Sequence, residues 1–70
     1  MNNKITKKQA AAISYQLYVL GKEAAAAGEL PYMFLSPAAQ KLMINVYPGS
    51  GVDLSMWYQG YDDEKKGDVK

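Results

Sequence analysis

Apolar residues recur every three or four positions between Thr6 and Gly28, which is the pattern of one long amphipathic helix. The apolar stripe consists of Ile13, Leu17, Leu20, Ala24 and Ala27. Thr6 and Gln9 match a T-x-x-Q capping box, and Gly28 is followed closely by Pro31, as is typical of a helix end. The pattern therefore predicts a helix over residues 6–28.

The second half of this helix carries little side-chain bulk, because Gly21 and Gly28 flank a run of alanines. An interior glycine costs about 1 kcal/mol relative to alanine, so Gly21 needs an explanation. Either a bulky side chain from another helix lies across this small surface, or an alanine-rich helix simply tolerates the glycine. We favour the first explanation and expect Trp57 to be the side chain that lies there.

A second, shorter helix is predicted over residues 37–46. Ser36 and Pro37 are typical of an N-cap followed by the first helical position. The apolar stripe of this helix consists of Ala38, Ala39, Leu42, Met43 and Val46.

A third helix is predicted over residues 51–66. Ser50 and Asp53 match an S-x-x-D start signal, and Gly67 is expected to end the helix. One face of the helix is apolar and aromatic, and it consists of Leu54, Trp57, Tyr58 and Tyr61.

Together these elements predict an all-α fold in a single small domain covering residues 1–70. The first and third helices are expected to form an antiparallel helical hairpin, since short connections favour antiparallel neighbours, with the short helix added to it. The termini, residues 1–5 and 67–70, are expected to fray.

Composition argues against an enzyme. The chain has no Cys and no His, so it lacks the usual zinc ligands and the commonest general base at neutral pH. We expect no cofactor and no metal. The acidic run Asp62, Asp63 and Glu64 could be a catalytic or metal-binding cluster, but adjacent helical residues point about 100° apart, so a solvated face or a partner-binding rim is the better interpretation.

A domain of 70 residues is too small to bury all of its apolar side chains, so some should be exposed and available to a dimer partner or another protein. The run after Pro31 is the best candidate for a binding surface. We predict partner binding by Tyr32, Met33 and Phe34, with Asp62, Asp63 and Glu64 as a polar rim.

The first and third helices share a spacing of one aromatic residue and two glycines. Tyr18-x-x-Gly21-x6-Gly28 aligns with Trp57-x-x-Gly60-x6-Gly67. This spacing suggests two helices that cross with an aromatic residue over each glycine, so that the backbones approach closely.

Three short motifs resemble the ribosome modulation factor family and the small phage and bacterial proteins grouped near it. The motifs are Gly21, Ala24 or Ala25 and Gly28; the turn Asn45-Val46-Tyr47-Pro48-Gly49-Ser50; and Trp57, Gly60 and Tyr61. The similarity covers residues 12–28 and 45–66, with residues 31–44 as an insertion. It implies a small helical scaffold and either a phage-type accessory role or association with the ribosome.

The favoured function is a non-catalytic phage or mobile-element accessory protein that modulates a host protein complex by steric occupation. The alternative is a ribosome-associated RNA-binding factor that uses Lys4, Lys7, Lys8 and Tyr15. The net charge of +1 and the absence of Arg make nucleic acid the less favoured partner. With no signal peptide and no long apolar run, we expect a cytoplasmic protein without membrane contact.

Overall fold

The computed structural model of the protein describes residues 5–68, and the side chains of residues 5–67. Its elements are α1 (Lys7–Ala26), a 3-10 turn (Met33–Leu35), α2 (Pro37–Met43) and α3 (Ser55–Asp68). The predicted all-α fold is confirmed, since residues 5–68 form helices and turns without a strand. The predicted pairing of the first and third helices is also confirmed, because α1 and α3 pack against each other over most of their length.

Both ends of α1 carry the predicted signals. The Thr6 hydroxyl accepts a hydrogen bond from the Gln9 N–H at 3.1 Å, and the Gln9 side chain accepts one from the Thr6 N–H at 2.8 Å. At the other end Gly28 takes a φ of 74°, and the Glu29 N–H donates to the Ala24 carbonyl at 2.9 Å. These bonds satisfy backbone groups that the helix ends would otherwise leave free.

The start of α2 is confirmed, and its end is earlier than predicted. The Ser36 hydroxyl accepts a hydrogen bond from the Ala39 N–H at 3.3 Å, and Pro37 is the first helical residue. The helix ends at Met43 rather than at residue 46.

The predicted bounds of α3 are wrong at both ends. Gly51 adopts a φ of 90°, which an ordinary helix cannot accommodate, and the Asp53 carboxylate rather than Ser50 caps the helix by accepting from the Ser55 N–H at 3.0 Å. The helix therefore begins at Ser55. It also continues through Gly67 to Asp68, because this glycine stays helical. The predicted fraying at residues 1–4 and 69–70 lies outside the described residues.

Within the confirmed pair, α1 and α3 run in the same direction, not antiparallel. The Asp53 N–H, just before α3, donates to the Ser14 hydroxyl at 2.9 Å, and further along both helices Lys22 Nζ lies 3.7 Å from a Glu64 carboxylate oxygen. Earlier residues of α1 therefore contact the start of α3, and later residues of α1 contact later residues of α3, as in a parallel helix pair. The antiparallel prediction assumed a short connection, whereas residues 27–54 are long enough to return the chain to the start of α1.

The path of this connection explains how the chain returns. It first follows α3, where the Tyr61 hydroxyl donates to the Glu29 carbonyl. It then passes back along α1 through α2 and reaches the N-terminal end of α1 at Tyr47, whose hydroxyl accepts from the Ile5 N–H at 3.1 Å.

Two glycines let the backbones of α1 and α3 touch. A Cβ atom added to Gly21 would lie 1.9 Å from the Trp57 carbonyl oxygen, and one added to Gly60 would lie 2.0 Å from the Tyr18 carbonyl oxygen. The aligned spacing in the two helices therefore corresponds to a reciprocal contact. The residue over each glycine is the predicted one, but its carbonyl makes the contact, in the manner of Cα–H···O packing, and its ring does not.

The Trp57 ring instead fills the centre of the core. Trp57 and Leu17 are almost fully buried, and they form one cluster with Ala24, Met33 and Ala39. This cluster lies where α1, α3 and the connection meet, so the connection is anchored to the helix pair by its own buried residues.

Candidate partner-binding surface

The largest group of exposed apolar side chains lies on the connection and the adjoining face of α3. We call it the apolar patch, and it consists of Leu30, Tyr32, Phe34, Leu35 and Tyr58. These side chains are between 43% and 64% exposed. Exposed patches of large apolar residues are typical of binding surfaces.

The patch is continuous. The rings of Tyr32 and Phe34 lie 5.7 Å apart between centroids, and a groove of about 280 Å³ is lined by Leu30, Tyr32, Leu35 and Glu29. The patch thus combines aromatic and aliphatic side chains next to the exposed acidic residue Glu29.

Hydrogen bonds hold the backbone beneath the patch to the helices. The Tyr58 hydroxyl accepts from the Met33 N–H at 3.3 Å, and the Gln40 side-chain amide donates to the Phe34 carbonyl. Because the groups that hold this backbone lie on α2 and α3, the exposed side chains are presented from a fixed backbone.

The structure does not place Met33 on the exposed surface with Tyr32 and Phe34, the two residues predicted to bind a partner beside it. Met33 is only 8% exposed and packs in the core cluster with Trp57, whereas Tyr32 and Phe34 on either side of it point outward. The 3-10 turn that begins at Met33 directs this one side chain inward. Met33 therefore anchors the patch to the core.

The predicted acidic rim is divided between two faces of α3. Asp63 accepts a hydrogen bond from the Tyr18 hydroxyl at 2.6 Å, and Glu64 pairs with Lys22, so both of these carboxylates are directed toward α1. Asp62 lies one helical turn after Tyr58, on the side of the patch. It forms an exposed i,i+4 ion pair with Lys66 at 3.4 Å.

The bond between Tyr18 and Asp63 changes the acidity of the tyrosine. Donation to the Asp63 carboxylate is the main reason that the pKa of Tyr18 is raised above its usual value of 10.0, and desolvation and the negative charge add to the effect. The structure therefore favours the protonated phenol. Ionisation of this phenol at alkaline pH should weaken the contact between α1 and α3.

The residues predicted for RNA contact do not form one compact group. Lys7 and Lys8 are exposed in the first turn of α1, while Tyr15 lies about two turns further on, is 65% exposed and stacks on Tyr18. Lys4 lies outside the described residues. The two lysines and Tyr15 are all accessible, but they are spread along the helix.

Three members of the patch were not among the predicted site residues: Leu30, Leu35 and Tyr58. Tyr58 was assigned to the core face of α3, although it sits next to Trp57 and so points about 100° away from it. That angular offset is the signal that could have placed Tyr58 at the edge of the core.

Within residues 5–68, no group of three or more acidic side chains is placed to hold a metal ion. No helix in that range is both long enough and apolar enough to cross a membrane. In comparisons with known proteins, no family model, curated protein or solved structure matches the chain.

Proposed function

We propose that this chain is a non-catalytic binding protein of phage or mobile-element type, which occupies a surface of a host protein complex in the cytoplasm and so modulates or inhibits it. The observation that carries the proposal is the apolar patch, in which exposed aromatic and leucine side chains are held on a fixed backbone. The phage assignment derives from the family resemblance.

The physical basis of the proposal is the cost of binding. Large aromatic side chains supply much of the energy of protein interfaces, and a surface that is already ordered loses little conformational entropy when it binds. Tyr32 and Phe34 supply the large aromatic side chains. Their backbone is already ordered, because Tyr58 and Gln40 hold it through hydrogen bonds.

Capture from a bacterial lysate tests this function. Immobilised protein should retain a defined host complex, and Phe34→Asp should lose it, because a charge at the centre of an apolar contact must be desolvated. Ile44→Asp is the matched control, since Ile44 is 79% exposed but lies outside the patch. The purified complex should then lose activity in proportion to the amount of wild-type protein bound.

Retention of every captured partner by Phe34→Asp would contradict the proposal. The RNA-binding alternative makes a different prediction, because binding to ribosomal RNA would depend on Lys7, Lys8 and Tyr15 and would weaken steeply with salt. Binding to ribosomal RNA that survives Phe34→Asp but is lost in a Lys7→Glu, Lys8→Glu double variant would favour the alternative.

A further inference from the structure

We propose that the apolar patch of one molecule packs against the apolar patch of a second copy of this chain, forming a two-fold symmetric dimer in the absence of other partners. This inference rests on the proposed function in that both assign binding to the same patch. It adds a form of regulation, because a host complex must compete with the second copy.

The size of the patch fits this partner. Aromatic side chains bury on the order of 150–250 Å² each, so five half-exposed large side chains present on the order of 500 Å². A two-fold axis doubles this to on the order of 1,000 Å² in total. With a polar rim, the area reaches the low end of the range for specific interfaces, about 1,200 Å².

The charges beside the patch are self-complementary. Glu29 lines the groove of the patch and is exposed, and Lys65 Nζ lies 5.6 Å from the centre of the Tyr61 ring, whose hydroxyl donates to the Glu29 carbonyl. Among the described residues, neither Glu29 nor Lys65 takes part in an ion pair within the chain.

A two-fold interface places the same surface on both sides, so a residue at position i meets position j and the reverse. Glu29 of one copy can therefore meet Lys65 of the second copy, and Lys65 of the first copy can meet Glu29 of the second. The net charge of +1 leaves little repulsion between two copies. A partner with only basic or only acidic groups could pair with Glu29 or with Lys65, but not with both.

Sedimentation equilibrium of the purified chain over a range of concentrations tests the dimer. The wild-type mass should approach twice 7.7 kDa, and Phe34→Asp should return it to the monomer value with an unchanged circular dichroism spectrum. Ile44→Asp should remain dimeric. A wild-type monomer at every concentration, or a dimer that survives Phe34→Asp, would overturn the inference.

A charge swap tests the orientation of the two copies. Glu29→Lys and Lys65→Glu should each weaken the dimer by about tenfold, and the double variant should recover most of the loss. A double variant weaker than either single variant would exclude the proposed pairing of Glu29 with Lys65.

The two proposals fail separately. A wild-type monomer that still captures a host complex through Phe34 would retain the proposed function and exclude the dimer. A dimer that captures no host complex would retain the dimer proposal and exclude the proposed function.

Discussion

The helix crossing and the connection use apolar surface in opposite ways. At the crossing, Gly21 and Gly60 remove side chains so that α1 and α3 touch through their backbones. In the connection, Tyr32 and Phe34 are large and directed outward, although their neighbour Met33 is buried. The difference indicates that the crossing maintains the fold, and it supports the proposal that the connection presents the binding surface.

Trp57→Ala is expected to reduce the stability of the fold more than any other substitution that separates the two regions. Removing a buried aromatic side chain costs about 3–5 kcal/mol, which is close to the whole stability expected of a domain of this size. Thermal unfolding followed by circular dichroism should find the variant largely unfolded at 25 °C.

Trp57→Phe is the control for this substitution. It keeps an aromatic ring in the core and removes the indole N–H, a buried donor that has no hydrogen-bond partner among the described residues. This variant should fold. If Trp57→Ala also melted like the wild type, the core would not depend on this side chain.

A smaller effect is expected at the start of α1. Thr6→Ala removes the hydroxyl that accepts from the Gln9 N–H, at a cost of about 1 kcal/mol. For a domain of this size, the melting temperature should fall by about 4–8 °C. Thr6→Ser keeps the hydroxyl and should melt close to the wild type, and equal losses in both variants would show that the cap is not responsible.

The contact between Tyr18 and Asp63 predicts a pH dependence. Because the pKa of Tyr18 is raised in the fold, its contribution is present below pH 10.0 and is lost as the pH rises through the higher, folded-state pKa. Urea unfolding at increasing alkaline pH should show a steeper loss of stability for the wild type than for Tyr18→Phe. Parallel curves for the two proteins would contradict this coupling.

The smallest effect on stability is expected in the apolar patch. Phe34→Asp changes an exposed side chain, so the free energy of unfolding should stay within about 0.5 kcal/mol of the wild-type value while binding is lost. Urea unfolding measures the first quantity. Strong destabilisation would show that Phe34 supports the fold and would remove the distinction between the two regions.

Features that depend on neighbouring residues could be predicted from the sequence. The capping box at Thr6 and the left-handed turn at Gly28 each involve residues only a few positions apart, and both are confirmed. The glycine spacing also predicted where the two helices approach each other. Only the structure shows that the contact is made by backbone carbonyl groups and not by aromatic rings.

Features that depend on the path of the connection could not be predicted. The relative direction of α1 and α3 is determined by where residues 27–54 lead, and that path depends on distant contacts such as Ile5 with Tyr47. The inward turn of Met33 is a second example. Tyr32, Met33 and Phe34 are three adjacent large side chains, and the local sequence does not show which of them enters the core.

The close approach of two backbones at Gly21 is tested most directly by comparing Gly21→Ala with Gly67→Ala. Helix propensity alone predicts that both substitutions stabilise the protein by up to about 1 kcal/mol. A Cβ at Gly67 meets nothing within 4 Å, so Gly67→Ala should melt at or above the wild-type temperature. A Cβ at Gly21 collides with the Trp57 carbonyl, so Gly21→Ala should lose about 1–3 kcal/mol or more and melt well below the wild type. A Gly21→Ala protein that melts as high as Gly67→Ala would contradict the account.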